Sequence, residues 1–183
     1  MHSIMPASTS SYWWVVYTQP CHEKRVAQSL KAAGEEVFVA TRKEIHQWSD
    51  RKKEVEVLLI PHVIFLHATE ERRIELVKTN SRLVGVMREA TSHQPISIPD
   101  AQMHTFITAV QSANDDVQFV SMDDPQYADV NFKEGDEVTI THGKLKGAQG
   151  CILHAKDGNR FVVRLGSLGL LVLSCADMDL LED

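Results

Sequence analysis

One stretch of the sequence is rich in aspartate, contains no basic residue and divides the chain into two parts. Between residues 114 and 131 there are five aspartates, no lysine or arginine, and a proline at position 125. This stretch has no helical or alternating apolar pattern longer than a few residues. Charge repulsion and low burial therefore predict an extended acidic linker. We expect a flexible tail at residues 1–11, one domain at 12–113, the linker at 114–131 and a second domain at 132–183.

The charge is distributed unevenly along the 183 residues, whose formal net charge is −6. Residues 1–113 carry 13 Lys and Arg against 12 Asp and Glu, whereas residues 114–183 carry 6 against 13, so the two parts have net charges of +1 and −7. Phosphate neutralisation needs clustered Lys and Arg. Overall charge therefore argues against nucleic-acid binding, and any such contact must be local.

The chain carries no signal for a membrane or for an oxidising compartment. Its longest apolar run, residues 55–66, is too short to span a bilayer and is interrupted by His62. Residues 1–11 lack the basic and apolar segments of a secretory signal. The cysteines, Cys21, Cys151 and Cys175, are odd in number and far apart, as in a reducing compartment. We expect a cytoplasmic protein without disulfides.

Strand and helix patterns alternate before the linker. Short β-branched and aromatic runs predict strands at residues 13–17, 37–39, 63–66 and 83–87. Apolar spacing predicts a helix that ends at Gly34, a short helix around Ile74 and Val77, and a helix from near Pro99. Residues 45–48 and 55–59 flank a polar turn, which is typical of a hairpin. The first domain is therefore predicted to be an α+β sandwich.

The pattern changes after the linker. Apolar and polar residues alternate around Val138 and Val163, and glycines separate the short runs. This arrangement is typical of a small all-β barrel.

Several segments together resemble the NusG family of transcription elongation factors. They are WWVVYT at 13–18, EKRV at 23–26, Ile60-Pro61, GDEV at 135–138 and GKLKGAQG at 143–150. The resemblance covers nearly the whole chain from Trp13 onward. It implies the family's amino-terminal α/β sandwich with an antiparallel sheet, followed by a small all-β KOW barrel of the SH3-like type. QWSDRKK at 47–53 looks like the hairpin of UpxY-type paralogs, which are antiterminators of capsule and other surface-polysaccharide operons.

The resemblance also implies a binding site for RNA polymerase. In the family, a hydrophobic depression on the amino-terminal domain receives the paired clamp helices of the polymerase. The corresponding residues here are Trp14, Ile60, Val63, Gly85 and Val86. The alternative is that these side chains are core. The chain also departs from the family pattern, because His62-Val63 replaces the Gly-Tyr pair that commonly follows the proline.

A basic cluster near the predicted hairpin is the nucleic-acid candidate. Cations contact phosphate and a tryptophan can stack on an unpaired base, which suits the non-template DNA strand of a transcription bubble. The alternative is a solvated tip whose cations pair with Asp50, Glu54 and Glu56. The candidate residues are Arg42, Lys43, Trp48, Arg51, Lys52 and Lys53.

The predicted barrel contributes shape and a further binding site. Gly143, Gly147 and Gly150 stand where a tight barrel needs positive φ or close backbone approach. The resemblance implies a ribosomal protein or the termination factor Rho as a partner near residues 166–169. An arginine commonly follows that turn, but Leu170 stands here, and residues 170–173 are either a barrel strand or a docking surface.

No pattern indicates a metal, a cofactor or catalysis. Cys21-His22 and the pair Cys151 and His154 each supply two ligands, whereas a closed zinc site needs four. Phosphate-binding and nucleophile motifs are absent from the sequence. We therefore expect a non-enzymatic antiterminator that binds RNA polymerase. The alternatives are a housekeeping NusG-like factor, a ribosome-associated KOW protein that binds RNA, and an enzyme that depends on Cys21.

Overall fold

The computed structural model describes residues 10–47, 52–112, 117–121, 137–140, 146–155 and 158–174. It contains three helices and twelve strands in these ranges. In chain order they are β1 (Tyr12–Thr18), α1 (Glu23–Ala32), β2 (Glu36–Phe38), β3 (Thr41–Gln47), β4 (Lys52–Leu58), β5 (Val63–Ala68), α2 (Glu70–Thr79), β6 (Leu83–Val86), β7 (Ser97–Ile98), α3 (Asp100–Ser112), β8 (Val117–Ser121), β9 (Glu137–Thr139), β10 (Gln149–Ala155), β11 (Gly158–Leu165) and β12 (Gly169–Ser174).

The chain forms two compact units. The first combines Met1–Val39 with Pro61–Pro99, and the second combines Ala40–Ile60 with Asp100–Asp183. Each unit combines two separate segments of the chain and therefore does not test domain boundaries drawn along the sequence. The expected boundaries stay a prediction.

The first unit is built on an antiparallel sheet with the strand order β2-β5-β1-β6. The short strand β7 pairs with the beginning of β1, where Trp13 lies opposite Ile98. Strands β1 and β5 are buried almost throughout, because they occupy the centre of this sheet.

Helices α1 and α2 contribute to the core on one face of the sheet. Val26, Ala27 and Leu30 form the buried side of α1 and pack in one cluster with Leu76 of α2 and Trp14 of β1. The spacing of these α1 residues gives a single apolar stripe. The chain leaves α1 through Gly34, whose φ of +88° is a conformation that glycine adopts without strain.

The second unit contains a hairpin, a helix and an all-β sheet. Strands β3 and β4 pair from Thr41 opposite Leu58 to Gln47 opposite Lys52. A five-stranded antiparallel sheet has the order β8-β12-β11-β10-β9. Helix α3 packs against β11, and its buried side includes Met103, Phe106 and Ala109.

The α+β fold class and the additional all-β region are confirmed. Residues 170–173 lie in β12 and are buried, as expected for a barrel strand. Strands β7 and β8 were not predicted. Strand β8 lies inside the predicted linker, and its Val117 is completely buried.

Candidate functional site

The residues predicted to contact polymerase clamp helices differ in exposure. In the first unit, Trp14 and Val63 are 6% and 3% exposed, so both are core side chains. Gly85 and Val86 are half-buried and lie in β6, a strand that the sequence predicts at residues 83–87. In the second unit, Ile60 is also buried. Buried side chains can support a binding surface from below, but they cannot be its contact residues.

Trp14 is held in place by contacts on its ring and on its nitrogen. The indole Nε1 donates a hydrogen bond to the Ala68 carbonyl oxygen at 2.8 Å. The Arg73 guanidinium lies 4.6 Å from the centre of the ring, which is cation–π geometry. Burial lowers the pKa of Arg73, and the Glu70 carboxylate at 3.4 Å partly offsets this effect. Trp14 is therefore a structural residue in this unit.

Tyr17 is an exposed aromatic residue next to two of the predicted site positions. It lies opposite Val63 on β5 and opposite Gly85 on β6, between two residues that the sequence singles out. Tyr17 is 38% exposed, and a side-chain carbon added at Gly85 would meet no atom within 4 Å. The missing side chain at Gly85 thus leaves open space beside Tyr17.

The pairing of β1 with β6 shifts by one residue next to this space. Tyr17 pairs with Gly85, but Thr18 pairs with Leu83, which leaves Val84 as an extra residue in β6. Val84 is 66% exposed. We name Tyr17, Val84 and Gly85 the tyrosine surface. Tyr17 and Val84 were not predicted, since their exposure depends on strand register and not on residue type.

The Pro61-His62 turn before β5 is fixed by a buried carboxylate. His62 has a φ of +63°, a left-handed conformation that is uncommon for a residue with a side chain. Its backbone N–H donates to Glu23 Oε1 at 2.9 Å, and its Nδ1 lies 3.3 Å from the same oxygen. Its carbonyl accepts from the Thr18 backbone N–H at 2.9 Å. This network holds a histidine where family members commonly have glycine.

Two of the predicted nucleic-acid residues are engaged in contacts within the second unit. Arg42 forms an ion pair with Glu44 and donates to the Val117 carbonyl oxygen of β8 at 3.2 Å. Lys43 Nζ lies 2.7 Å from Glu54 Oε1. Hydrogen bonds from His46 and then Arg42 lower the pKa of Glu44. Arg42 therefore has a structural role at the base of the hairpin.

Lys52 and Lys53 remain available at the far end of the hairpin. Both are exposed, and neither forms an ion pair with another residue in the described ranges. They lie opposite Gln47 and His46, so no carboxylate faces them across the two strands. Trp48 and Arg51 lie outside the described residues. The described cations fit the phosphate-contacting role better at this end than at the base.

The glycines predicted for the KOW segment have different structural roles. Gly147 has a φ of +87° in the turn before β10. Gly150 lies within β10 and not in a turn, and a side-chain carbon there would approach Phe161 Cζ to 2.7 Å. Close packing therefore accounts for glycine at this position. Gly143 lies outside the described residues.

The predicted partner loop of the barrel is contacted by α3 of the same unit. The Gly166 backbone N–H donates to Gln102 Oε1 at 3.2 Å. The loop chain turns through Gly166, whose φ is +55°.

The described residues contain no group of three or more His, Cys, Asp or Glu side chains that could hold a metal ion. Cys21 is exposed and Cys151 is buried, and neither of them forms a disulfide. No helix in the described part of the chain is long and apolar enough to cross a membrane.

The first unit has an antiparallel α+β sheet, and the second has a two-stranded hairpin and an all-β sheet. These features define a class of protein that combines a mixed α/β part with an all-β part. The family model described as "Transcription termination factor nusG" matches residues 11–107, which is more than half of the chain. The chain belongs to the NusG family.

The chain is also similar to two solved structures. One structure, described as "Domain interaction in Thermotoga maritima NusG", has a TM-score of 0.42 and 18% identity, and the match covers 94% of this chain and 98% of that chain. Another, described as "Crystal Structure of MjSpt4:Spt5 complex conformation A", has a TM-score of 0.30 and 16% identity, with 93% and 99% covered. No curated protein matches the chain.

Proposed function

We propose that this chain binds the clamp helices of RNA polymerase through the tyrosine surface and suppresses pausing or termination. The observation that carries the proposal is the exposed Tyr17 beside open space at Gly85. An aromatic side chain next to a depression can receive the apolar side chains of a helix. Val84 extends the apolar area next to the bulge.

The predicted residues then have two kinds of role. Gly85 provides the space, whereas Trp14 and Val63 keep β1 and β5 in register beneath it. Tyr17 and Val84 make the contacts. This division explains how buried residues can belong to a binding site without touching the partner.

The proposed mechanism is one of binding and not of bond chemistry. A factor that binds the elongating conformation of the polymerase more tightly than a paused conformation shifts the population toward elongation. No covalent step is required.

The hairpin supplies a second, weaker contact in this proposal. Lys52 and Lys53, together with Trp48 and Arg51, would bind the non-template DNA strand near the polymerase. Cations and one stacking residue suit unpaired nucleic acid, and a small contact area suits a factor that is already held by polymerase.

The specialised role rests on the QWSDRKK segment at 47–53. We propose an UpxY-like paralog that acts on capsule or surface-polysaccharide operons, with the barrel recruiting a ribosomal protein or Rho. Transcript profiling of a deletion strain tests this role. Reduced transcription toward the distal end of one such operon supports it, and a change in nearly all transcripts favours a housekeeping factor.

The polymerase contact is tested with purified full-length chain and core RNA polymerase. We expect Tyr17→Ser and Gly85→Leu to weaken binding at least tenfold, because one removes the aromatic contact and the other fills the space. Ile74→Ser is the matched control, since Ile74 in the same unit is 37% exposed and Tyr17 is 38% exposed. Wild-type binding by Tyr17→Ser would contradict the assignment. Co-sedimentation of wild type with ribosomes but not polymerase would favour the ribosome-associated alternative.

A further inference from the structure

The sheet of the second unit has an edge strand that comes from the predicted linker. Strand β8 pairs with β12 from Val117 opposite Leu173 to Ser121 opposite Gly169. The other partner of β12 is β11, so β8 covers the edge that β12 would otherwise present. Residues 170–173 of β12 are apolar and buried, and they face both sides of the sheet. An uncovered edge of such a strand is a template for an added strand.

The missing side chain at Gly169 leaves room for an aromatic ring from β8. A side-chain carbon at Gly169 would clash with the Val120 carbonyl oxygen and would lie 2.6 Å from Phe119 Cζ. Phe119 lies diagonally across from Gly169, because Phe119 pairs with Leu171. The ring therefore covers the glycine, as aromatic residues do beside glycines in sheets.

A second glycine–phenylalanine contact lies between β10 and β11 of the same sheet. A side-chain carbon at Gly150 would lie 2.7 Å from Phe161 Cζ and 2.5 Å from the Val162 carbonyl oxygen. Phe161 is diagonal to Gly150, since it pairs with Ile152. Strand β8 thus joins the sheet through a glycine–phenylalanine contact of the same type that joins two of its internal strands.

Strand β8 is short and partly exposed. It has five residues, of which Gln118 and Ser121 are exposed and Phe119 is half-buried. Aspartates flank it at positions 115, 116, 123 and 124. The hydrogen bond from Arg42 to the Val117 carbonyl oxygen holds β8 in place and would be lost when β8 leaves. A short edge strand between like charges is easier to replace than an internal strand.

We propose that the edge of β12 is a strand-binding site with an exchangeable occupant. Strand β8 fills it in the free chain, and an extended segment of a partner protein fills it after β8 leaves. The segment that fits has apolar residues at the positions of Val117 and Val120 and an aromatic residue over Gly169. Backbone hydrogen bonds supply affinity, and the glycine supplies selectivity. This site is separate from the tyrosine surface.

The test uses the full chain and a labelled synthetic peptide with the sequence of residues 115–123. Val117→Asp places a charge at a buried position of β8 and should release the strand. Gln118→Asp is the matched control, because it makes a similar change at an exposed position of the same strand. We expect Val117→Asp to bind the peptide at least tenfold more tightly than wild type, and Gln118→Asp to bind like wild type.

A second variant distinguishes peptide binding at the β12 edge from nonspecific peptide binding. Gly169→Val in the Val117→Asp background should abolish peptide binding, since the added side chain occupies the space of the aromatic ring. Hydrogen exchange checks the folding of each variant through protection of β10 and β11. Equal peptide binding by Val117→Asp and wild type, or binding that survives Gly169→Val in a folded chain, would overturn the proposal. Dimerisation of Val117→Asp without peptide binding would also overturn it, because a second copy would then be the occupant.

Discussion

Glu23 is the one carboxylate that is buried among the residues that the structure describes. It accepts a hydrogen bond from the His62 backbone N–H at 2.9 Å. We expect Glu23→Ala to lower the free energy of unfolding by about 1–3 kcal/mol, because the substitution removes the hydrogen bond to the buried carboxylate. Glu23→Gln should cost less, since its amide oxygen can still accept. Urea unfolding measures both, and equal losses would contradict this role.

Glu44 makes the base of the hairpin sensitive to acid. Hydrogen bonds from His46 and Arg42 lower its pKa below the ordinary value of 4.5. The charged form is therefore favoured in the folded chain, so the stabilisation is present above pH 4.5 and is lost as the pH falls through the lower, folded pKa.

NMR titration of the Glu44 carboxyl carbon measures this effect. The midpoint should lie below 4.5 in wild type and move up toward it in His46→Ala. Lys43→Gln is the control, because Lys43 pairs with Glu54 instead. An unchanged midpoint in His46→Ala would show that His46 is not the main cause.

The hairpin is the element on which the DNA contact depends. If Lys52 and Lys53 each contact a phosphate, the double variant Lys52→Gln/Lys53→Gln should bind single-stranded DNA more weakly. Its plot of log K against log salt should be shallower by roughly 1.4, from about 0.7 per contact. Arg42→Gln is the comparison, and we expect it to keep the wild-type slope. A slope that changes with Arg42 but not with the lysines would reverse the assignment.

Elements with a strong local pattern could be predicted from the sequence. Strand β1 and helices α1 and α3 carry apolar periods that do not depend on distant residues. Strand β8 could not be predicted from local sequence. Its five residues form a strand because they pair with β12, which is far away in the sequence. The candidate site could likewise be predicted only in part. Gly85 was recognisable as a family position, whereas the exposure of Tyr17 follows from a register that only the folded sheet defines.

At the scale of the whole molecule, the binding surfaces have different physical character. The first unit offers an uncharged aromatic surface, and the second offers cations on a hairpin and a strand-accepting edge. High salt should therefore weaken the DNA contact and leave the polymerase contact largely intact, because screening acts on charges and not on apolar burial. Binding to polymerase and to single-stranded DNA, measured across one salt series, distinguishes the two. A polymerase affinity that falls as steeply as the DNA affinity would contradict an apolar contact.

The most direct measurement is photocrosslinking from the tyrosine surface to RNA polymerase. A benzoyl-phenylalanine placed at Tyr17 should crosslink to the polymerase subunit that carries the clamp helices, and the same probe at Ile74 should not. The two positions are similarly exposed, at 38% and 37%, so the comparison reports on location. A crosslink from Ile74 alone, or none from either position while wild type binds polymerase, would contradict the central claim.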